Sequence, residues 1–172
     1  MNPSLRLVFA CALSINLVSC GGGGGSSSNS GSSGSGSGST GLQCSSAPGA
    51  VPGPATVTAL SCVDTTVGTG PAAVNGNNLT VNYTGWVYSA NSANYEGTQF
   101  DSSLSANRMP FQFTLGAGQV IAGWDQGLLG MHVGGTRTLI IPSSLAYGAN
   151  SPSSLIPANS ALVFTVTLVS IP

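Results

Sequence analysis

GAGQVIAGWDQGLLGMHVGGTRTLIIPSSLAYG, residues 116–148, is the stretch whose reading decides the fold. It reads as a turn, a short helix carrying Trp124, a strand over residues 136–141 and a Leu-Ala-Tyr-Gly turn. Trp124 stands near the start of the helix, preceded by Val120 and Ile121 and followed at a distance by Tyr147. Such a set forms a concave apolar floor with a few polar groups on its rim, the usual form of a small-ligand or peptide pocket. Val120, Ile121 and Trp124 would serve equally as ordinary core, and periodicity alone does not separate the two readings.

Outward from this stretch, the chain alternates apolar and polar residues in short runs. Residues 56–60 alternate and predict a first strand, and residues 68–78 read as turns. Residues 79–88 predict a second strand with Leu79, Val81 and Tyr83 on one face. Further strands are expected at residues 99–101, 111–115, 136–141 and 162–170. Only residues 123–130 look helical, with Gly at both ends. Strands interrupted by one short helix indicate an α+β domain, a bent antiparallel sheet wrapped on that helix. A domain of about 115 residues buries roughly two thirds of its unfolded surface, enough for an independent core.

Composition narrows the function. Charged residues are 4% of the 172, Lys is absent and the formal net charge is -1. There is no basic stripe for a phosphate backbone, so nucleic acid is not an expected partner. Solubility must come from Ser, Thr, Asn and Gly rather than from charge.

The N-terminal third predicts export and anchoring. Residues 1–19 read as a signal peptide: Arg6, an apolar run from Leu7 to Val18, then small residues. The run is too short for a spanning helix of about 20 apolar residues. Leu17-Val18-Ser19-Cys20 resembles the bacterial lipoprotein signal, which makes Cys20 the lipidated first residue of the mature protein, and Cys11 would leave with the signal. Gly21 stands where, in enteric bacteria, an Asp is associated with inner-membrane retention. The expected location is therefore the bacterial cell envelope, at the outer membrane, with the lipid as the only membrane contact. Residues 20–55 comprise Cys20, a tether of almost pure Gly and Ser and a Pro-rich lead-in. About 21 residues of such coil reach ~25 Å. Cys44 and Cys62 form an even pair of thiols in an oxidising compartment and are expected to make a disulfide rather than a metal site. Closing that loop would contribute ~3 kcal/mol in the chain-entropy model. Residues 56–172 form the functional domain.

No conventional catalytic set is present. His132 is the only histidine, and it lies in a Met-His-Val-Gly turn where a solvated side chain is expected. One His without a Cys or acidic cluster is not a metal site. A triad would have to recruit that His, and no Gly-x-Ser-x-Gly elbow exists. Gly116-Ala-Gly118 lacks the third glycine of the dinucleotide fingerprint, whose place falls at Ile121. No cofactor is expected.

VNYTGWV (residues 81–87), GTQFDSS (97–103), PFQFTLGAGQVIAGWDQGL (110–128), IPSSLAYG (141–148) and ALVFTVTL (161–168) follow in an order and spacing that resemble the FKBP-type peptidyl-prolyl cis/trans isomerases. The likeness covers roughly residues 57–171. It implies the same α+β architecture, and a pocket formed by Tyr83, Phe100, Asp101, Phe111, Val120, Ile121, Trp124, Tyr147, Ile156 and Phe164. Trp124 would be the floor beneath a proline ring, and Phe100, Phe111 and Phe164 the walls. The resemblance further implies that the Ile121 N–H and the Tyr147 hydroxyl hold substrate carbonyls. Rotation about an X-Pro bond breaks no covalent bond, which suits a site without acids, bases or nucleophiles.

The implied partners are proline-containing peptides, exported proteins and macrolide inhibitors of the FKBP class. The helix by which some bacterial members dimerise is replaced by Gly and Ser, so a monomer is expected. A non-catalytic proline-peptide-binding or surface interaction module on the same fold is the alternative. Three departures stand out. The Tyr83 to Phe100 interval is longer than in compact members, through Ser-Ala-Asn-Ser-Ala-Asn-Tyr at residues 89–95. Arg108 sits one residue closer to Pro110 than in the family pattern, which leaves its pairing with Asp101 open. Pro152 stands where many members carry a His, a difference that bears on ligand preference.

Overall fold

The structure, a computed structural model, describes residues 56–172. The expected signal peptide, lipidated Cys20, tether and Cys44 lie outside the described residues. Six strands form one antiparallel sheet: β1 (Ser61–Thr66), β2 (Asn78–Tyr88), β3 (Glu96–Ser102), β4 (Phe111–Thr114), β5 (Thr136–Ile141) and β6 (Leu162–Ser170). The single α-helix, α1 (Ala122–Gly127), lies between β4 and β5 in the chain. Strand order is β1-β5-β6-β2-β3, with β4 also paired to β2. This is the α+β arrangement, an antiparallel sheet with one short helix, that the sequence predicts.

Strand β2 organises the sheet. Its 11 residues alternate so that Leu79, Val81 and Tyr83 are buried toward the helix while Thr80, Asn82 and Thr84 are only half-buried. One edge pairs along its length with β6, from Val87↔Leu162 to Thr80↔Ser170. The other edge is divided between two partners: β4 takes Asn78 to Val81 and β3 takes Thr84 to Tyr88.

Three boundaries differ from the sequence reading. The first strand is not at residues 56–60 but at Ser61–Thr66, because pairing rather than alternation decides it: Cys62 lies opposite Leu139 and Asp64 opposite Arg137. Thr56, Thr58 and Ala59 are exposed, and no strand pairs with them. The helix ends at Gly127 rather than near residue 130. Leu128 still donates to the Trp124 carbonyl, but Gly130 adopts φ 71° and its N–H turns to the Ala73 carbonyl at 2.8 Å. Strand β3 begins at Glu96, earlier than expected, because Tyr88 on β2 finds Glu96 as its partner. Cys62 is buried and disulfide-bonded. Its expected partner, Cys44, lies outside the described residues.

Helix α1 packs on β5 at very short range. A Cβ on Gly123 would lie 2.4 Å from Ile141 Cγ2, and one on Gly127 would lie 2.8 Å from Leu139 Cδ2. These glycines, one turn apart, form the flat helix face that touches the sheet, while Trp124 turns into the core with no exposed surface. Arg137 secures the far end of the helix from the sheet side. It is buried, pairs with Asp64 across β1 and β5 at 2.6 and 2.9 Å, and donates to the Gly127 and Leu129 carbonyls. Those carbonyls at the helix C-terminus carry partial negative charge and lack helical partners.

Gly123→Ala tests this packing. Helix propensity alone favours Ala by about 1 kcal/mol, but the new methyl meets a stiff, fully buried Ile141 branch. Overpacking of that kind costs about 1–3 kcal/mol. We expect net destabilisation in urea unfolding; unchanged or raised stability would show that the helix shifts away from β5 without cost.

Candidate functional site

The division of the β2 edge creates the site. Where β3 leaves β2 and before β4 returns, the chain runs through residues 103–110, and Tyr83 sits at the break. Its N–H donates to Ser103 Oγ at 2.9 Å and its carbonyl accepts from the Ser103 N–H at 2.9 Å. Its phenol donates to Asp101 Oδ2 at 2.5 Å. The other carboxylate oxygen accepts from the Ser102 N–H at 2.9 Å and pairs with Arg108 Nη1. Arg108 also donates to the Ser102 carbonyl at 2.8 Å. The pairing that the sequence left open is thus made. Asp101 is 8% exposed, so it is a buried junction between Tyr83 and Arg108.

Below this junction the rings form a box around Trp124. Tyr83 and Phe164 each meet Trp124 edge-on with centroids 5.2 Å apart. Phe111 approaches it edge-on at 6.3 Å, and Phe100 meets Phe164 edge-on at 5.5 Å. Edge-to-face pairs of this geometry are favoured by the ring quadrupoles. Gly85 makes room for two walls at once, because a Cβ there would fall 2.7 Å from Phe164 and 2.8 Å from Phe100. Phe113 belongs to the same box, 5.7 Å from Trp124 and stacked on Phe111 at 5.6 Å. Sequence reading missed it as a site neighbour, although its position two residues after Phe111 puts it on the same strand face.

Val120, Ile121 and Ile156 are buried beside the box, and Phe100 and Tyr147 are partly buried at its margin. The structure therefore brings together all ten residues that the resemblance implied. Ile121 is the N-cap of α1, and no described residue accepts a hydrogen bond from its N–H. The segment that returns Ile156 to the box is cross-tied: Asn159 N–H donates to the Gly148 carbonyl at 2.7 Å, and Ser151 Oγ donates to the Ile156 carbonyl. Trp124 Nε1 is buried without a hydrogen-bond partner among the described residues.

Two features stand apart from the box. The insertion at residues 89–95 closes on itself, with Ser89 N–H donating to the Tyr95 carbonyl at 2.9 Å and Tyr88 stacked on Tyr95 at 5.4 Å. His132 is exposed, its Nδ1 2.8 Å from the Gly70 carbonyl. Two phenols and one guanidinium of the site are shifted toward their protonated forms. Burial, then the hydrogen bond to Asp101 and its negative charge, push the Tyr83 phenol far above its usual value. Burial and the charge of Asp101 do the same to Tyr147. The hydrogen bond to Asp101 raises Arg108.

Known proteins share this fold and much of this sequence. The family model described as FKBP-type peptidyl-prolyl cis-trans isomerase matches residues 70–169. The chain is 47% identical over 104 residues to an FK506-binding protein of Neisseria meningitidis serogroup B, covering 60% of this chain and 88% of the relative. It is 43% identical over 108 residues to FK506-binding protein 1 of Aspergillus oryzae, covering 62% and 92%. Among solved structures, AtFKBP13 superposes with a TM-score of 0.56 at 36% identity, over 66% of this chain and 93% of that one. A peptidyl-prolyl cis-trans isomerase of Pseudomonas syringae pv. tomato gives 0.53 at 33% identity, over 64% and 73%.

The raised phenols set an alkaline limit. An unfolded Tyr ionises near pH ~10, whereas folded Tyr83 and Tyr147 hold their protons to higher pH. The folded state then binds more protons than the unfolded one, so their contribution is intact below pH ~10 and is lost as pH rises beyond it. An absorbance titration of the four tyrosines should show Tyr83 and Tyr147 ionising only together with loss of near-ultraviolet dichroism. Four independent ionisations near pH ~10 in folded protein would contradict this.

Proposed function

The chain belongs to the FKBP-type peptidyl-prolyl cis-trans isomerases, and from that premise we propose that it is a lipid-anchored isomerase of the cell envelope acting on exported proteins. The observation that carries the catalytic part is the aromatic box: Tyr83, Phe111 and Phe164 packed edge-on around Trp124, with Asp101 buried above. The location rests on Leu17-Val18-Ser19-Cys20 and the Gly/Ser stretch that follows. We assign proline-containing peptides and FKBP-class macrolides to this box, and a monomeric state to the protein.

A planar X-Pro amide is more dipolar than a twisted one. The barrier of about 20 kcal/mol is mostly lost amide resonance, and an apolar surrounding that excludes water favours the less dipolar twisted state. Each tenfold acceleration needs ~1.4 kcal/mol of that preference. In this reading Trp124 supports the proline ring, Phe100, Phe111 and Phe164 exclude water, and the Ile121 N–H and Tyr147 hydroxyl orient the flanking carbonyls. Asp101 acts through Tyr83 and Arg108. Its burial means that Asp101→Ala would strand a buried phenol and a cation, so Asp101→Asn is the informative change.

With no proton transferred near neutrality, kcat/KM on a proline tetrapeptide should stay nearly flat from about pH 6 to 9. A limb within that range would show that a titrating group takes part in the rate-limiting step and remove this mechanism. Tyr147→Phe and Asp101→Asn should keep the fold and lose roughly ten- to hundredfold in kcat/KM, ~1.4–2.7 kcal/mol of transition-state stabilisation. Full activity in the folded double variant would show that the rim does not orient substrate.

For the envelope assignment, Cys20→Ala should abolish incorporation of labelled fatty acid and release the protein from membranes. Retained label in that variant would place the lipid on another residue, and no label in the unmutated chain would remove the anchor.

A further inference from the structure

The loop that joins β3 to β4 carries a feature that proline catalysis does not use. Its two ends, Asp101 and Phe111, both belong to the aromatic box, yet Leu104 is 69% exposed and Met109 is 77% exposed. The loop is ordered by its own bonds: Leu104 N–H donates to Ser102 Oγ at 3.1 Å, Arg108 N–H donates to the Ser105 carbonyl at 3.1 Å, and Asn107 adopts φ 64°. With Arg108 drawn back to Asp101, the loop presents no unpaired charge to solvent, and its large exposed side chains, Leu104 and Met109, are apolar beside the smaller Ser105, Ala106 and Asn107.

Met109 opens onto a recess of 290 Å³ that it lines with Thr80, Pro110 and Gln112. A second recess of 360 Å³ continues from Thr80 and Gln112 toward Thr114 and Gln119. Together they lie on the outer face of the β2–β4 pair, beside the β4 edge, where Asn78, Thr80 and Pro172 also line them, and no side chain lining either carries a charge. Among the described residues β4 pairs only with β2, so its other edge is unpaired. Leu115 N–H bonds inward to the Asn77 carbonyl, whereas Thr114 N–H points outward and is taken by Gln119 Oε1 at 2.8 Å. By the alternation of an antiparallel ladder, the N–H and C=O of Gln112 point outward as well. Gln112 is exposed.

We propose that this edge is a second docking site for the polypeptide whose proline occupies the box. An extended segment of the same client pairs its backbone with Gln112 and seats apolar side chains against Met109 and Leu104. The occupant follows from continuity: Phe111 and Phe113 of β4 line the proline site while the same strand offers the free edge. A strand added to a sheet edge is held by main-chain bonds and is read through alternate side chains, so the site takes unfolded chains with little demand on sequence. Neutral recesses suit apolar or uncharged side chains. At ~3.3 Å per residue the four residues of β4 span about four client residues. The inference rests on the isomerase reading for its client, and the test below separates the two.

The experiment compares the full-length chain, in detergent, on the tetrapeptide Ala-Leu-Pro-Phe and on a ten-residue peptide that extends this core on both sides with alternating Val and Ser. The expected result is about tenfold higher kcat/KM on the long peptide, ~1.4 kcal/mol. Leu104→Ser with Met109→Ser should remove that gain and leave tetrapeptide turnover within about twofold. Gln112→Pro deletes an outward N–H without removing a ladder bond, a change edge strands tolerate, and should do the same. Binding is read separately by the Met109 methyl resonance, with buried Met131 as the unshifted control, so the proposal is tested even if turnover fails. No gain from extension, a gain that survives both variants, an unmoved Met109 methyl, or self-association through β4 at micromolar concentration would each overturn it. A methyl shift with no turnover of either peptide would instead overturn the isomerase reading and leave the docking site standing.

Discussion

The close approach of α1 to β5 is the constraint on which the rest of the structure depends. Two glycines one helical turn apart let the helix backbone sit against Ile141 and Leu139 at distances no Cβ would tolerate. That depth puts Trp124 at the level of the sheet's inner rings rather than above them. Tyr83, Phe111, Phe113 and Phe164 can then all meet the same indole. A helix displaced outward by a methyl group would loosen every one of those contacts. Arg137 reinforces the position from the sheet side by holding the carbonyls at the helix end.

Scarce charge is concentrated on local structural tasks. Both arginines among the described residues are paired, Arg137 with Asp64 and Arg108 with Asp101. Asp125 accepts the Gly116 and Gly118 N–H groups at 2.8 and 3.1 Å and so ties the turn before the helix to the helix itself. Surface solvation is left to hydroxyl and amide groups. The consequence is a mouth around the aromatic box where electrostatic steering is weak and contact with an uncharged chain costs little desolvation.

The box and its rim differ in what sustains them. The rings are held by packing and by the absence of a side chain at Gly85. The polar junction above them is held by a chain of hydrogen bonds from Arg108 through Asp101 to Tyr83. A buried junction of this kind is costly when half-made and rigid when complete. Through Arg108 it ties the loop of residues 103–110 back to β3 without burying Leu104 and Met109.

Much of this was legible in the residues. The reading of residues 79–88, 136–141 and 162–170 placed three strands closely, and the resemblance carried by the run of motifs implied ten residues that lie in and around the box. These features are local or are carried by motif order, so the sequence by itself determined them. What only the tertiary structure decided depends on partners distant in the chain. Alternation alone put the first strand at residues 56–60. Its true place was set by Asp64 meeting Arg137, 73 residues away, since periodicity gives a strand's faces but not its partner. The Arg108 bond to Asp101 depended on how the intervening loop turns. The free edge of β4 lies where two strands share one side of β2. Each of these is a matter of register and approach distance, which arise only when separate segments are packed together.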